Sequence, residues 1–315
     1  MGKKLAVHIS AFNSDKYQEQ IAKLFPDLEI TVSKGRDRHE GAFNCDILIG
    51  FGLGLSDEIF QRNKNLKFVQ ALGTGVDGID NRPDFDRSTP VASMRGIHGP
   101  QMSELAFMVM LSLSRNFPKT LENQKNHSWD RWPPRVLYQK TVGLLGVGMI
   151  AEALAKRCKA FEMRVVGITG TLREVDYIDE MRNRDDLIAA VGDLDYLIVL
   201  VPLTPENRNV VDAELLAAMK PSAYVINIAR GGVVDDEAII EALKSGIIAG
   251  AALDAFENEP LSEDHPFWDV ENLIITPHMA GMSEAYVEQA MPIIETNLRA
   301  FIDGKPEDMV NRVEL

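Results

Sequence analysis

Residues 146–151, Gly-Val-Gly-Met-Ile-Ala, decide the fold class of this chain. The apolar residues 142–145 before them are typical of a strand, and residues 152–159 after them have the composition of a helix. Gly146 permits a tight turn between the two, and Gly148 lets the backbone approach a pyrophosphate. Because a helix N-terminus attracts anions, this strand–turn–helix pattern predicts a phosphate-binding site. Taken alone the pattern is weak, since Gly-x-Gly also occurs in ordinary turns.

Length, composition and charge indicate a globular protein and argue against several kinds of partner. The 315 residues are enough for two domains with separate cores, and the apolar share of 45% is that of an ordinary globular chain. The net charge of −14 makes a nucleic-acid backbone or an anionic membrane an unfavourable partner. Cys45 and Cys158 are too few for a disulfide framework or a thiolate metal site. We therefore expect no metal and a reducing compartment.

The apolar stretches also argue against a targeting or membrane segment. The first residues contain two lysines but not the apolar core of a signal peptide. The most apolar helical stretch, residues 105–113, is about half as long as a membrane span. These features lead us to expect a cytoplasmic protein.

Alternating apolar and polar segments predict two parallel sheets. Before the glycine motif we predict strands at 5–9, 47–50 and 68–72, helices at 16–24 and 56–63, and one long apolar helix at 101–115. Paired prolines in residues 128–135 cannot continue that helix, so this segment is predicted to lead into the glycine-motif strand. The alternation is typical of strands joined by crossover helices.

From the glycine motif onward the pattern predicts a complete dinucleotide-binding sheet. Six strands are predicted, at 141–145, 164–168, 196–200, 224–228, 249–253 and 273–275, with helices at 151–159, 184–191, 213–219 and 237–244. The last predicted helix, 284–301, is followed by no strand and most simply packs back on the N-terminal domain. We therefore assign residues 1–97 to a first domain, 98–283 to the dinucleotide-binding domain, and 284–315 to a return into the first.

Three residues of the second half come shortly after predicted strands: Arg230, Glu259 and His278. Taken singly, Arg230 also suits a loop salt bridge, Glu259 a solvated carboxylate and His278 a helix cap. The carboxyl ends of parallel strands share one sheet edge, however, so three such residues at one edge indicate an active site.

These residue types suit hydride transfer to a carbonyl. A nearby carboxylate raises the pKa of an imidazole and orients its ring, which makes the imidazole a competent general acid. A guanidinium offers two parallel donors to a substrate carboxylate and polarises the neighbouring carbonyl. This chemistry requires a 2-oxo acid, or a 2-hydroxy acid in the reverse direction.

With these motifs in place, the sequence resembles the D-isomer-specific 2-hydroxyacid dehydrogenases over essentially its whole length. The resemblance rests on the glycine motif and on residues 227–235, 254–261 and 277–283. It implies that Arg230 and His278 bind substrate and that these two residues and Glu259 are catalytic.

The resemblance also implies the fold and the ligand-binding residues. In that family a Rossmann-type coenzyme domain is inserted in a flavodoxin-like catalytic domain, with a cleft between them, and a homodimer is expected. The loop 72–77 resembles the one whose backbone amides hold the substrate carboxylate, which implicates Thr74 and Gly75. Asp254 is implied to contact the nicotinamide carboxamide. The residues implicated in coenzyme binding are Gly146, Gly148, Met149, Ile150, Thr169, Thr171, Arg173, Pro202, Ala229, Asp254 and Gly281.

The end of the second coenzyme strand favours NADP over NAD. An NAD enzyme places an Asp or Glu near position 169 to bind the ribose 2′-hydroxyl, but this chain has Thr169, followed by Thr171 and Arg173. Without the carboxylate a 2′-phosphate is not repelled, and hydroxyls with an arginine can bind it. The stretch resembles NADPH-dependent glyoxylate/hydroxypyruvate reductases, although Glu174 and Asp176 weaken the case. NAD(H) stays possible.

Two further segments depart from the family or have open roles. His98 and Ser103 stand where many members have Asn and Ala, which either adjusts the pocket or is silent. Trp129, Arg131 and Trp132 either close a substrate pocket of a partner subunit or form a structural linker. The remaining histidines are expected in surface or packing positions: His8, His39, His127 and His265.

The leading hypothesis is an NADPH-preferring reductase of a small 2-oxo acid, with His278 as general acid. The alternative enzyme is an NAD-linked 3-phosphoglycerate dehydrogenase, which would need basic residues that the loop 72–77 lacks. A formate dehydrogenase relative is disfavoured because that branch lacks the residue that is Glu259 here. A non-catalytic dinucleotide sensor would not need the Arg–Glu–His set.

Overall fold

The computed structural model describes residues 4–33 and 40–315, and these form two compact α/β units. Unit 1 comprises the described residues up to Ile97 together with Ser283–Leu315, and unit 2 comprises His98–Met282. No helix among the described residues is long and apolar enough to cross a membrane. His39 lies outside the described residues.

Strands and helices alternate along most of the described chain. The described strands are β1 (Ala6–Ser10), β2 (Glu29–Ser33), β3 (Ile47–Gly50), β4 (Phe68–Ala71), β5 (Val91–Ala92), β6 (Thr141–Leu145), β7 (Arg164–Thr169), β8 (Glu180–Asn183), β9 (Tyr196–Val199), β10 (Tyr224–Asn227), β11 (Gly250–Leu253), β12 (Leu273–Ile275) and β13 (Arg312–Val313). The described α-helices are α1 (Ser14–Leu24), α2 (Asp57–Arg62), α3 (Gly99–Arg115), α4 (Phe117–Lys125), α5 (Met149–Ala160), α6 (Leu187–Val191), α7 (Ala213–Ala218), α8 (Asp236–Ser245) and α9 (Tyr286–Ile302). Short 3₁₀ helices lie at Glu40–Asn44, Gly52–Gly54, Arg184–Asp186, Pro266–Asp269 and Pro306–Asp308.

Unit 1 is a mostly parallel sheet with helices on both faces. Its strand order is β2-β1-β3-β4-β5-β13, in which only β13 is antiparallel to its neighbour. The first five strands therefore have the flavodoxin-like order 2-1-3-4-5. Strand β3 is apolar throughout because both faces are covered: Ile47 and Ile49 lie in one apolar cluster with α1 and α9, and Leu48 lies in the other with α2.

Helix α9 packs on the unit 1 sheet although it follows the whole of unit 2 in sequence. Ile294 and Leu298 are fully buried in the cluster that contains strand residues Ile47 and Ile49. The buried Asn297 amide donates a hydrogen bond to Gln70 Oε1 of β4 at 2.7 Å. Unit 1 is therefore discontinuous in sequence.

Unit 2 is a parallel sheet of seven strands, so the predicted count of six was wrong. The order is β8-β7-β6-β9-β10-β11-β12, which is the Rossmann order 3-2-1-4-5-6 with one strand added at the β12 edge. The strand absent from the prediction is β8, the third of the Rossmann order. The predicted α/β fold class is confirmed, and element bounds that were predicted differ from the observed ones mostly by one or two residues.

Strand β8 was not predicted because it is polar and lies at the sheet edge. Its sequence is Glu-Met-Arg-Asn, without the apolar run that marks buried strands. Arg182 of β8 binds Glu180 at 2.8 Å and Asp193 at 2.9 Å. Hydrogen bonds from Arg182 lower the pKa of Asp193 to about 2. At this edge, ion pairs rather than an apolar run therefore accompany the backbone pairing of β8 with β7.

Helix α4 was not predicted from the sequence either, and nor were strands β2, β5 and β13 of unit 1. Helix α4 starts after Asn116, whose φ of 51° breaks the preceding helix, and none of its residues is buried. Its two apolar residues one turn apart, Phe117 and Leu121, are about half exposed and too few to give a periodic apolar pattern. Beyond it, Trp129 is 85% exposed, and the Arg131 guanidinium lies 5.9 Å from the centroid of its ring.

Candidate active site

The glycine motif forms a tight turn at the point where the unit 2 strand order reverses. Gly146 follows β6 with a φ of 98°, a conformation that side chains with a Cβ rarely adopt. A Cβ at this position would lie 2.9 Å from Val201 Cγ1, so the turn packs directly on the segment after β9. Strands β6 and β9 are neighbours, but the chain after β6 continues to β7 on one side and the chain after β9 continues to β10 on the other. Sheets of this class bind ligands at such a point.

The turn leads into the N-terminus of α5 with open space in front of it. Gly148 is exposed, and a Cβ there would meet no atom within 4 Å. The first hydrogen bond of the helix runs from Glu152 N to Gly148 O at 3.0 Å, so the preceding amides, including those of Met149 and Ile150, are the ones an α-helix leaves free. Free amides and the positive end of the helix dipole fit a pyrophosphate.

Asp254 holds the loop that carries His278. The Asp254 carboxylate follows β11 and is only 2% exposed. Its oxygens accept hydrogen bonds from Thr276 Oγ1 at 2.6 Å, from Met279 N at 3.0 Å and from Ala280 N at 2.9 Å. Its backbone carbonyl accepts from His278 N at 2.8 Å. The chain is thus fixed on both sides of His278, which has a φ of 50°.

His278 and Glu259 form a close pair. His278 Nδ1 lies 2.8 Å and 2.9 Å from the two Glu259 carboxylate oxygens. Because an ionised carboxylate only accepts hydrogen bonds, Nδ1–H is the donor, and Nε2 remains to exchange a proton with a substrate. The side chains are 33% and 26% exposed, so the pair is partly shielded from water.

Glu259 is held in its ionised form. Partial burial acts to raise its pKa, but hydrogen bonds from His278 and from the Phe256 amide, with the charges of His278 and Arg230, outweigh that effect. The resulting pKa is below the ordinary range of a glutamate. An ionised Glu259 favours the charged form of the imidazole beside it.

Arg230 belongs to the same group of side chains. It lies in the loop after β10, and the buried Asn227 side chain folds this loop by donating to Arg230 O at 2.8 Å and accepting from Ala229 N at 3.0 Å. A Cβ on Gly231 would lie 1.9 Å from the Phe256 carbonyl carbon, so the loop contacts the segment that leads to Glu259. The structure thus brings Arg230, Glu259 and His278 together at the carboxyl ends of β10, β11 and β12.

The proposed 2′-phosphate loop follows β7, which ends at Thr169. Residues 170–174 of this loop are exposed, Thr171 among them. Arg173 Nη2 lies 2.6 Å from Glu152 Oε1 and 3.5 Å from Val147 O. The arginine predicted to bind a 2′-phosphate therefore lies over the glycine turn, paired with a carboxylate.

The remaining sequence-predicted residues are distributed over both units. In unit 2, Pro202 is exposed after β9, Ala229 is half-buried beside Arg230, and a Cβ on Gly281 would lie 3.3 Å from the buried His98 ring. Thr74 and Gly75 are half-buried in the loop that follows β4 of unit 1. Their ligand contacts stay predictions.

Sequence reasoning missed the residues that shape the catalytic loops. Asn227 and Thr276 lie at the ends of β10 and β12 and are nearly fully buried. A buried polar residue at a strand end is a signal that it hydrogen-bonds a neighbouring loop. Which loop it bonds depends on the tertiary structure and not on local sequence.

Unit 2 also has a cavity of about 650 Å³ away from these groups. Trp132, Arg135, Tyr224 and Asn272 are among its lining residues. Tyr224 begins β10 and Asn272 precedes β12, so the cavity lies at the amino ends of the strands. Sheets of this class bind ligands at the carboxyl ends, so this cavity is not the candidate active site.

Comparison with known proteins identifies the family. Residues 107–280, more than half of the chain, match the family model described as D-isomer specific 2-hydroxyacid dehydrogenase, NAD binding domain. The chain belongs to this family. It is therefore an NAD(P)-dependent D-2-hydroxyacid dehydrogenase, and the resemblance found in the sequence is confirmed.

Relatives of this dehydrogenase include enzymes with different named activities. It is 33% identical to a glyoxylate reductase of Pyrococcus horikoshii over 82% of the chain and 80% of that enzyme. It is 31% identical to a D-3-phosphoglycerate dehydrogenase of Methanocaldococcus jannaschii over 95% of the chain but spans only 58% of that longer protein. A solved structure of a Sinorhizobium meliloti NADPH-dependent glyoxylate/hydroxypyruvate reductase, in complex with NADP and sulfate, matches with a TM-score of 0.85 and 27% identity over 99% of this chain and 98% of that one.

Proposed function

We propose that this dehydrogenase reduces a small 2-oxo acid, such as glyoxylate or hydroxypyruvate, to the D-2-hydroxy acid, with NADPH preferred to NADH. The observation that carries the proposal is the His278–Glu259 pair, with distances of 2.8 Å and 2.9 Å, beside Arg230. This set supplies a proton donor, a carboxylate that orients it, and a cation for a substrate carboxylate.

Each residue has a distinct task in the proposed reaction. A nicotinamide coenzyme held at the glycine turn and the N-terminus of α5 would supply the hydride for the carbonyl carbon. His278 Nε2 gives its proton to the carbonyl oxygen, and Glu259 stabilises the imidazolium before that transfer. Arg230 binds the substrate carboxylate and polarises the 2-oxo group. The backbone amides of Thr74 and Gly75, in the loop after β4, are further proposed substrate-binding groups.

The preference for NADPH is supported by the loop after β7. Thr169 stands where a carboxylate would bind the ribose 2′-hydroxyl of NADH, and Arg173 lies over the glycine turn. The Sinorhizobium meliloti relative is named NADPH-dependent. An arginine at this place supplies a charge-assisted hydrogen bond to a 2′-phosphate.

Steady-state kinetics with both coenzymes test the proposal. We expect a higher kcat/KM with NADPH than with NADH when glyoxylate or hydroxypyruvate is the substrate. Arg173→Ala should reduce kcat/KM with NADPH by a factor that corresponds to about 1.5–3 kcal/mol, the scale for a hydrogen bond to a charged group, and should leave kcat/KM with NADH unaffected. Thr169→Asp should shift the preference towards NADH. Arg115→Ala, which removes another exposed arginine of unit 2, is the matched control. Equal or better efficiency of the unmodified enzyme with NADH contradicts the proposed preference.

A second candidate activity is that of a D-3-phosphoglycerate dehydrogenase, favoured by the 31% identity to the Methanocaldococcus jannaschii enzyme. Residues 72–77 contain no lysine or arginine for a substrate phosphate, which favours the smaller substrates. Including 3-phosphohydroxypyruvate in the substrate panel decides between the two.

The homodimer and the cytoplasmic location stay predictions. Light scattering of the purified protein tests the predicted homodimer.

A further inference from the structure

Glu152 is a carboxylate placed inside the proposed coenzyme-selecting site. It is the fourth residue of α5, whose N-terminus follows the glycine turn. Its Oε1 lies 2.6 Å from Arg173 Nη2, and the Glu152 and Arg173 side chains are 43% and 48% exposed. The same Nη2 lies 3.5 Å from Val147 O inside the glycine motif. The ion pair therefore spans the turn and the loop that together would surround the adenosine ribose.

In this position Glu152 opposes the binding of a 2′-phosphate to Arg173. A 2′-phosphate that binds Arg173 must either displace Glu152 from the guanidinium or share the guanidinium with it. In the first case an existing ion pair is lost, and in the second two anions lie close together. Both effects weaken binding of NADPH. NADH carries a neutral 2′-hydroxyl at this position, so neither effect applies to it.

The other charged residues near the Glu152–Arg173 pair do not offset the effect of Glu152 on a 2′-phosphate. Glu174 is exposed in the same loop and Asp176 follows shortly after, and both add negative charge. Lys156, one turn further along α5, lies 5.9 Å from the centroid of the Tyr177 ring. Arg173 is thus the loop's own cation for a 2′-phosphate, and Glu152 is the carboxylate in direct contact with it.

We propose that Glu152 limits the selectivity for NADPH over NADH by competing with the 2′-phosphate for Arg173. This inference rests on the proposed role of Arg173 in binding NADPH. It adds a residue of the glycine-motif helix to the determinants of coenzyme choice. Glu152 thus adjusts the coenzyme selectivity, and its removal should make the enzyme more selective for NADPH over NADH.

Direct coenzyme binding to Glu152→Gln tests the inference. Glutamine keeps a hydrogen-bond acceptor for Arg173 and removes the negative charge. Titration calorimetry should show NADPH bound about 3–10-fold more tightly than by the unmodified protein, a change of about 0.7–1.4 kcal/mol. NADH affinity should change less than about 2-fold, and Glu152→Ala should act in the same direction. Glu214→Gln, which removes an exposed first-turn glutamate from α7, should change neither affinity.

A double variant separates this inference from the proposed function. In an Arg173→Ala background, Glu152→Gln should improve NADPH binding less than about 2-fold, because the competition acts through Arg173. NADPH affinity that is unchanged or weaker in Glu152→Gln overturns the inference. If the unmodified protein prefers NADH but Glu152→Gln strengthens NADPH binding through Arg173, the proposed coenzyme preference fails and the inference stands.

Discussion

Replacing Glu259 with glutamine should move the pH dependence of reduction to lower pH. Reduction uses the charged imidazole of His278, so activity fades as the pH rises and the imidazole loses its proton. The charge of His278 lowers the pKa of Glu259, and by reciprocity the ionised Glu259 stabilises the charged imidazole. Glutamine cannot supply that stabilisation, so the charged form is lost at lower pH.

The size of the shift follows from the geometry of the pair. Two unit charges about 4 Å apart interact by about 4 kcal/mol at an effective dielectric constant of about 20. The side chains are 33% and 26% exposed, which reduces the interaction through solvent screening. The shift of the pH profile to lower pH is therefore smaller than the full interaction of about 4 kcal/mol would give.

The assay is kcat for 2-oxo acid reduction between about pH 5 and about pH 9 at saturating coenzyme, a range that brackets the ordinary titration of an imidazole. Glu257→Gln is the matched control, because Glu257 binds Arg208 at 2.6 Å rather than His278. Its profile should coincide with that of the unmodified enzyme. A Glu259→Gln profile with an unshifted upper limb refutes the reasoning.

Three further changes have defined outcomes. Arg230→Lys keeps the charge but loses the two-pronged geometry, so KM for the 2-oxo acid should rise and kcat should fall; wild-type kinetics would make Arg230 structural. Thr276→Val removes the 2.6 Å hydrogen bond to the Asp254 carboxylate and should cost about 1.5–3 kcal/mol of unfolding free energy in urea titrations, whereas Thr276→Ser should cost less. Arg182→Met should destabilise the enzyme by at most about 1 kcal/mol at neutral pH, because ion pairs near the surface are screened. That difference should disappear as the pH falls from about 4 towards the Asp193 pKa of about 2, and a difference independent of pH would contradict the assignment.

The fold was predictable where strands are buried on both faces. Strands such as β3 and β9 are continuous apolar runs because helices cover both sides of each sheet, and such runs are visible in sequence. Strand β8 and helix α4 gave no such signal, because polar contacts or solvent surround them. Their positions depend on neighbours that local sequence does not specify.

The candidate site was likewise predictable from the sequence only in part. Arg230 and His278 could be found because strand carboxyl ends mark the functional edge of a parallel sheet. The ion pair of Glu152 with Arg173 joins residues 21 positions apart in two different elements, and no spacing rule predicts it. Likewise, the hydrogen bonds between Asp254 and the His278 loop depend on β11 and β12 being adjacent strands, which the local sequence does not specify.

Single-turnover reduction of hydroxypyruvate tests the central claim most directly. Unmodified enzyme saturated with NADPH should convert hydroxypyruvate to D-glycerate in an amount equal to the NADPH oxidised. His278→Ala should bind NADPH normally but react about 10²–10⁴-fold more slowly, the usual contribution of a positioned general acid. An L or racemic product, or a His278→Ala rate close to that of the unmodified enzyme, would contradict the account.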